Sequence, residues 1–201
     1  MAAPQKLSDQ LSKWSQKGST STIASLEEIF GEKTFAVAIL LLMSLPALPI
    51  PTGGISHVFE VISMLLALEL IAGLKILWLP KRWKQVGFST SLKHRAMPFI
   101  IRRVVFLEKH SRPRLTRLQL ASVYSRLMGA TLLLLSLLAF LAPPFSGLDT
   151  LFAMGAVVVS LSMLLGDMFL YAIGILLGVL GIVVEVLFGK ALVHFFNTIF
   201  H

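Results

Sequence analysis

Apolar and polar positions along the chain fall into long blocks. A polar, mixed-charge opening (residues 1–34) gives way to an apolar block at 35–77, a basic stretch at 78–125, a second apolar block at 126–167 and an apolar tail at 168–201. Both internal apolar blocks are interrupted by proline and glycine, so each is predicted to form two helices rather than one. In the first block these cover roughly 35–49 and 55–77, around Pro49, Pro51, Gly53 and Gly54. In the second they cover roughly 127–142 and 148–165, around Pro143, Pro144 and Gly147. The last helix is predicted to start near Met168 and to run past Gly189 toward Phe200. Phe169–Phe188 has Glu185 as its only charge, and about 20 apolar residues match a hydrocarbon core of about 30 Å. The first arm, at about 1.5 Å per residue, reaches only about 22 Å. Its break therefore either enters the bilayer as a re-entrant turn or closes a hairpin in water, and both readings return the chain to the side it left.

The two interrupted blocks also resemble each other. At an offset of 93 residues Leu48 meets Leu141, Pro51 meets Pro144, Gly54 meets Gly147, Phe59 meets Phe152, Leu68 meets Leu161 and Gly73 meets Gly166. Leucine matches are cheap in so apolar a chain; the proline, the glycines and the phenylalanine carry the signal. The predicted fold class is all-α: a polytopic membrane helix bundle of two tandem Pro/Gly-broken helical hairpin repeats plus a final transmembrane helix. Repeats of broken apolar segments mark many transport folds, with the break as the working part.

The polar segments predict two further helices. In the opening, Ile23, Leu26, Ile29 and Phe30 form an apolar stripe, Ser25 and Glu28 have capping-box spacing, and Gly31 is a stop. In the linker, Ala96 to Leu107 carries apolar runs flanking Arg102 and Arg103; it is too short and too charged to span, and reads as an interfacial helix.

Composition fixes the solvent. Of the 201 residues 56% are hydrophobic and 14% charged, with a mean hydropathy of +0.83, which suits an integral membrane protein. The opening lacks the apolar core of a cleavable signal peptide. Cysteine is absent, which excludes disulfides and thiolate chemistry. Charge is concentrated: of 18 Lys and Arg, 12 lie between Lys75 and Arg117, against one acid, Glu108. The positive-inside rule then puts the linker and the N-terminus in the cytoplasm, and the C-terminus outside if the last helix crosses once. Lys81, Arg82, Arg102, Arg103, Arg112 and Arg114 are predicted to meet anionic lipid headgroups or a partner, rather than nucleic acid.

Ionisable residues within apolar segments are costly and hence functional candidates. His57 and Glu60 lie three apart, on one helical face just past the first break, and can pair as a proton-sensitive couple. Asp149 follows the second break. With the backbone N–H groups that open each second arm, the two breaks form a candidate cradle for an anion. Glu69, Asp167, Glu185 and Lys190 are candidates for coupling or ion pairing, with helix-boundary roles as the plainer reading of the first two. No metal site, cofactor site or soluble-enzyme motif is found, and no enzymatic activity is expected.

Three stretches give the chain a resemblance. Leu45-Pro46-Ala47-Leu48-Pro49-Ile50-Pro51-Thr52-Gly53-Gly54, Trp78-Leu79-Pro80-Lys81-Arg82 and Leu107-Glu108-Lys109-His110-Ser111-Arg112-Pro113-Arg114-Leu115 resemble the ExoD exopolysaccharide synthesis family over about Leu26 to Leu192. The resemblance implies a bacterial inner-membrane protein associated with exopolysaccharide production. It does not supply a molecular activity. Ala142-Pro143-Pro144-Phe145-Ser146-Gly147 departs from the family pattern at the second break, and Glu69 stands where an amide is common.

Two functional readings follow. One is a transporter-like protein handling an anionic or proton-coupled solute or a lipid-linked intermediate between the breaks. The other is a non-transporting partner of the polysaccharide synthesis machinery, docked through the basic linker. A homodimer is compatible with either, and Gly174, Gly178 and Gly181 give the last helix a small-residue face that could pack between or within subunits.

Overall fold

The computed structural model describes residues 7–16, 23–30, 33–48, 55–74, 78, 97–110, 122–143, 147 and 149–200. Among these every regular element is a helix: α1 Leu7–Gln16, α2 Ile23–Phe30, α3 Thr34–Met43, α4 Ile55–Ala72, α5 Met97–His110, α6 Ser122–Leu141, α7 Asp149–Leu165 and α8 Met168–Phe200. Three are long and apolar enough to cross a membrane, at Ile55–Ala72, Val123–Leu141 and Met168–Lys190, while α3 and α7 are shorter apolar helices.

The short arm is shorter than the sequence predicts. α3 ends at Met43 because Pro46 has no N–H to continue the ladder, and a turn takes over, with Ala47 N–H donating to the Met43 carbonyl at 3.0 Å and Leu48 N–H to Leu45 at 3.1 Å. All ten α3 residues are buried, as expected of a helix apolar on every side. α4 and α7 close alike. Gly73 and Gly166 take φ of +80° and +68°, a conformation that only glycine enters cheaply. Leu74 N–H donates to the Glu69 carbonyl at 3.1 Å, and Asp167 N–H to the Ser162 carbonyl at 3.2 Å. These are the five-back bonds of a Schellman closure.

The bundle is a ring in which α3 and α6 each pack on both α4 and α7, with α8 laid along α7. One end gathers the start of α3, the ends of α4 and α7 and the start of α6: Lys33 Nζ donates to the Leu164 carbonyl at 3.4 Å, and a Cβ on Gly73 would lie 3.9 Å from Arg126 Nη2. At the other end His57, near the start of α4, meets Phe140, near the end of α6. Met43 and Ser136, themselves 93 residues apart, touch across the ring, with the hydroxyl 3.9 Å from Sδ. The glycine face of α8 is used inside the subunit: a Cβ on Gly174 would meet Val159 Cγ2 at 2.5 Å, and one on Gly181 would meet Phe152 Cε1 at 2.7 Å.

The polar segments form a small layer of their own. α1 buries Leu7, Leu11 and Trp14 at helical spacing and packs on α2 and α5, while α2 leads into α3. α2 begins before Ser25, whose hydroxyl accepts a bond from Trp14 Nε1 at 2.8 Å instead of capping the helix. α5 turns Val104 inward and leaves Arg102, Val105, Phe106 and Lys109 exposed.

Candidate functional site

The start of α4 concentrates the chemistry of the bundle. Ser56, Phe59, Glu60, Ser63, Ala67 and Leu70 form its buried stripe, so a carboxylate occupies a position that helical periodicity reserves for core. The Glu60 side chain is fully buried, and its Oε2 lies 2.8 Å from Nδ1 of the partly exposed His57. The His57 ring stands edge-on to Phe140, with centroids 5.5 Å apart. Asp149, half-buried, lies in the first turn of α7.

This pairing leaves the site half-satisfied. Glu60 Oε1 has no hydrogen-bond partner, and neither has Ser63 Oγ one turn further along α4. An unsatisfied buried oxygen costs about 1–3 kcal/mol, more if it is charged. Inside an apolar bundle such an oxygen is relieved by protonation of its carboxyl or by a water or cation beside it. No three His, Cys, Asp or Glu side chains come together as a metal site among the described residues.

The other predicted residues are dispersed. Pro49, Pro51, Gly53, Gly54, Pro144, Lys81, Arg82, Arg112 and Arg114 lie outside the described residues, as does the side chain of Arg103. Pro143 and Gly147 are exposed at the second break, and Gly147 has φ +71°. Glu69 Oε2 accepts the Trp78 N–H at 2.8 Å, tying the linker back to the end of α4. Asp167 Oδ1 accepts the Phe169 N–H at 3.0 Å and caps α8. Glu185 is half-buried and Lys190 exposed on α8, and among the described residues no ion pair joins them. Sequence reasoning missed the buried hydroxyls of Ser63, Tyr124, Ser160 and Ser162, since Ser and Tyr are common on membrane helices and only burial sets these apart.

Comparison with known proteins gives two findings. The chain matches the family described as "Exopolysaccharide synthesis, ExoD" over residues 7–187. It is also 31% identical over 198 residues to the uncharacterized protein slr1875 of Synechocystis sp., covering 96% of this chain and 88% of that protein. No solved structure matches.

Proposed function

The chain belongs to the ExoD exopolysaccharide synthesis family, and from that premise we propose that it is a transporter-like protein of the bacterial inner membrane that moves protons, alone or coupled to a solute, through the His57–Glu60 pair. The single observation that carries this reading is the fully buried Glu60, with one oxygen on His57 and the other free. With Glu60 and Asp149 both beside the described part of the site, a proton or cation is favoured over the anion that the helix starts alone would attract. The reading includes a duplicated hairpin whose copies run parallel. It is supported by the matching Gly73 and Gly166 closures, the contact between Met43 and Ser136, and the gathering of Lys33, Gly73, Arg126 and Leu164 at one end. The protein would then perform no covalent chemistry. The end bearing Arg126 and the linker would face the cytoplasm, with the exposed Arg102 and Lys109 of α5 toward anionic headgroups.

Purified protein in liposomes holding a pH-sensitive dye tests the reading. An imposed pH gradient is expected to collapse faster than in empty vesicles, with or without added cations or lipid-linked phosphates. Rates equal to those of empty vesicles across that panel would overturn it.

A further inference from the structure

The N-terminal layer presents one face that the bundle does not use. Among the described residues of α5, Pro98, Arg102, Val105, Phe106 and Lys109 are exposed, and at helical spacing they fall within an arc of about 100°. Val105 is 48% and Phe106 56% exposed. Val104, turned the other way, is fully buried, and Ile101 on the flank packs against the core. With α1 packed on α5, the layer fixes which side of that helix points away from the protein.

The chemistry of this face selects its occupant. Val105 and Phe106 are bracketed by Arg102 and Lys109, about 10 Å apart along the axis. Long basic side chains hold their charge at a polar surface while apolar neighbours enter the layer beneath. A protein partner would need an apolar pocket with acids placed on both sides of it, whereas an anionic bilayer offers that combination at every point. A second feature marks the same end of the bundle. α2 ends at Phe30, just ahead of the start of α3, so the layer adjoins the end where α4 and α7 close. There Trp78, past the close of α4, is 78% exposed with its N–H held by Glu69 Oε2 at 2.8 Å, and Val123 on the first turn of α6 is 73% exposed. Tryptophan concentrates at headgroup level, and this one marks the membrane surface beside the layer.

We propose that this face of α5 docks on the anionic lipid surface of the membrane that holds the bundle, with Val105 and Phe106 at the boundary of headgroups and acyl chains and Arg102 and Lys109 on lipid phosphates. This deepens the proposed function, which turns the two cations toward headgroups, and rests on it for the choice of the cytoplasmic leaflet. The layer of α1, α2 and α5 is then bound to the membrane along its length and does not stand free in water. α1 forms its wet side, where Asp9, Lys13 and Gln16 are exposed.

A chain without cysteine allows single nitroxide labels to be compared in the full-length protein. Val105→Cys carries the test label, Lys13→Cys on the outer side of α1 the water reference, and Leu134→Cys, 54% exposed on the spanning helix α6, the lipid reference. All three sites lie outside the core, so the substitutions leave its packing alone. In vesicles of phosphatidylcholine and phosphatidylglycerol, collisions of the Val105 label are expected to favour oxygen over a water-soluble nickel chelate, as at Leu134, whereas those at Lys13 favour nickel. A Val105 label as open to nickel as Lys13, or shielded from both reagents as in a protein contact, would overturn the docking. The combined Arg102→Gln and Lys109→Gln variant, and vesicles of phosphatidylcholine alone, are each expected to shift the Val105 oxygen-to-nickel ratio severalfold toward the water reference; no shift in either would overturn the contact with lipid phosphates. Proton flux has no part in these readings. A lipid-facing Val105 in a protein that moves no protons sinks the proposed function and leaves the docking standing, whereas normal flux with Val105 in water does the reverse.

Discussion

α4 and α7 close on the same backbone turn and open on very different chemistry. At the 93-residue offset both helices bury a phenylalanine, Phe59 and Phe152, and both end on a left-handed glycine with the same five-back bond. Yet His57 stands where α7 has Thr150, Glu60 where it has Ala153, and Ser63 where it has Ala156. At that offset the buried phenylalanine and the closing glycine recur, whereas His57 and Glu60 do not. Under the proposed function, the hairpin of α4 would do the work and that of α7 would supply packing, with Asp149 as the acid on the second side.

Flux gives the largest test of that asymmetry. Glu60→Gln removes the charge without changing shape and is expected to cut proton entry by about a hundredfold, the scale of losing a positioned proton-transfer group. Thr150→Ala, on the supporting hairpin, is expected to leave the rate unchanged; equal losses from the two would abolish the distinction. Packing comes next. Gly174→Leu forces a side chain onto Val159 and is expected to destabilise the protein by about 1–3 kcal/mol in thermal unfolding, whereas Gly189→Ala, with nothing within 4 Å, is expected to change nothing. Gly73→Ala and Gly166→Ala probe what the hairpins share, and each should lose about 1–2 kcal/mol from a left-handed site. A marked inequality would break the equivalence of the two turns. Smallest is Trp14→Phe, which gives up the bond to Ser25 for about 1 kcal/mol, visible as earlier proteolysis of the N-terminal layer with flux intact.

What could be read in the sequence was what local chemistry decides. Gly166 marked the junction after the second block, and Met168 to Phe200 announced a helix because nothing interrupts it, whereas the first block read as helix to residue 77 and the helix ends at Ala72, with Gly73 in the left-handed turn. The sequence read His57 and Glu60 as a pair because spacing alone puts them on one face. Tertiary contacts decided the rest. α1 escaped notice because Leu7, Leu11 and Trp14 are a thin stripe in a polar segment, meaningful only once α2 and α5 cover it. Ser25 looked like a cap until Trp14 claimed its hydroxyl. α6 begins at Ser122, ahead of the apolar block, with Tyr124 buried in that first turn. Only the fold could show that Ser63, Ser160 and Ser162 face inward with no partner.

Infrared difference spectroscopy of the protein in lipid, stepped between acidic and alkaline buffer, reports directly on whether Glu60 takes up and releases a proton inside the bundle. A protonated-carboxyl band should appear on acidification, persist in Glu69→Gln and Asp167→Asn, and vanish in Glu60→Gln. A band that survives in Glu60→Gln would contradict the account.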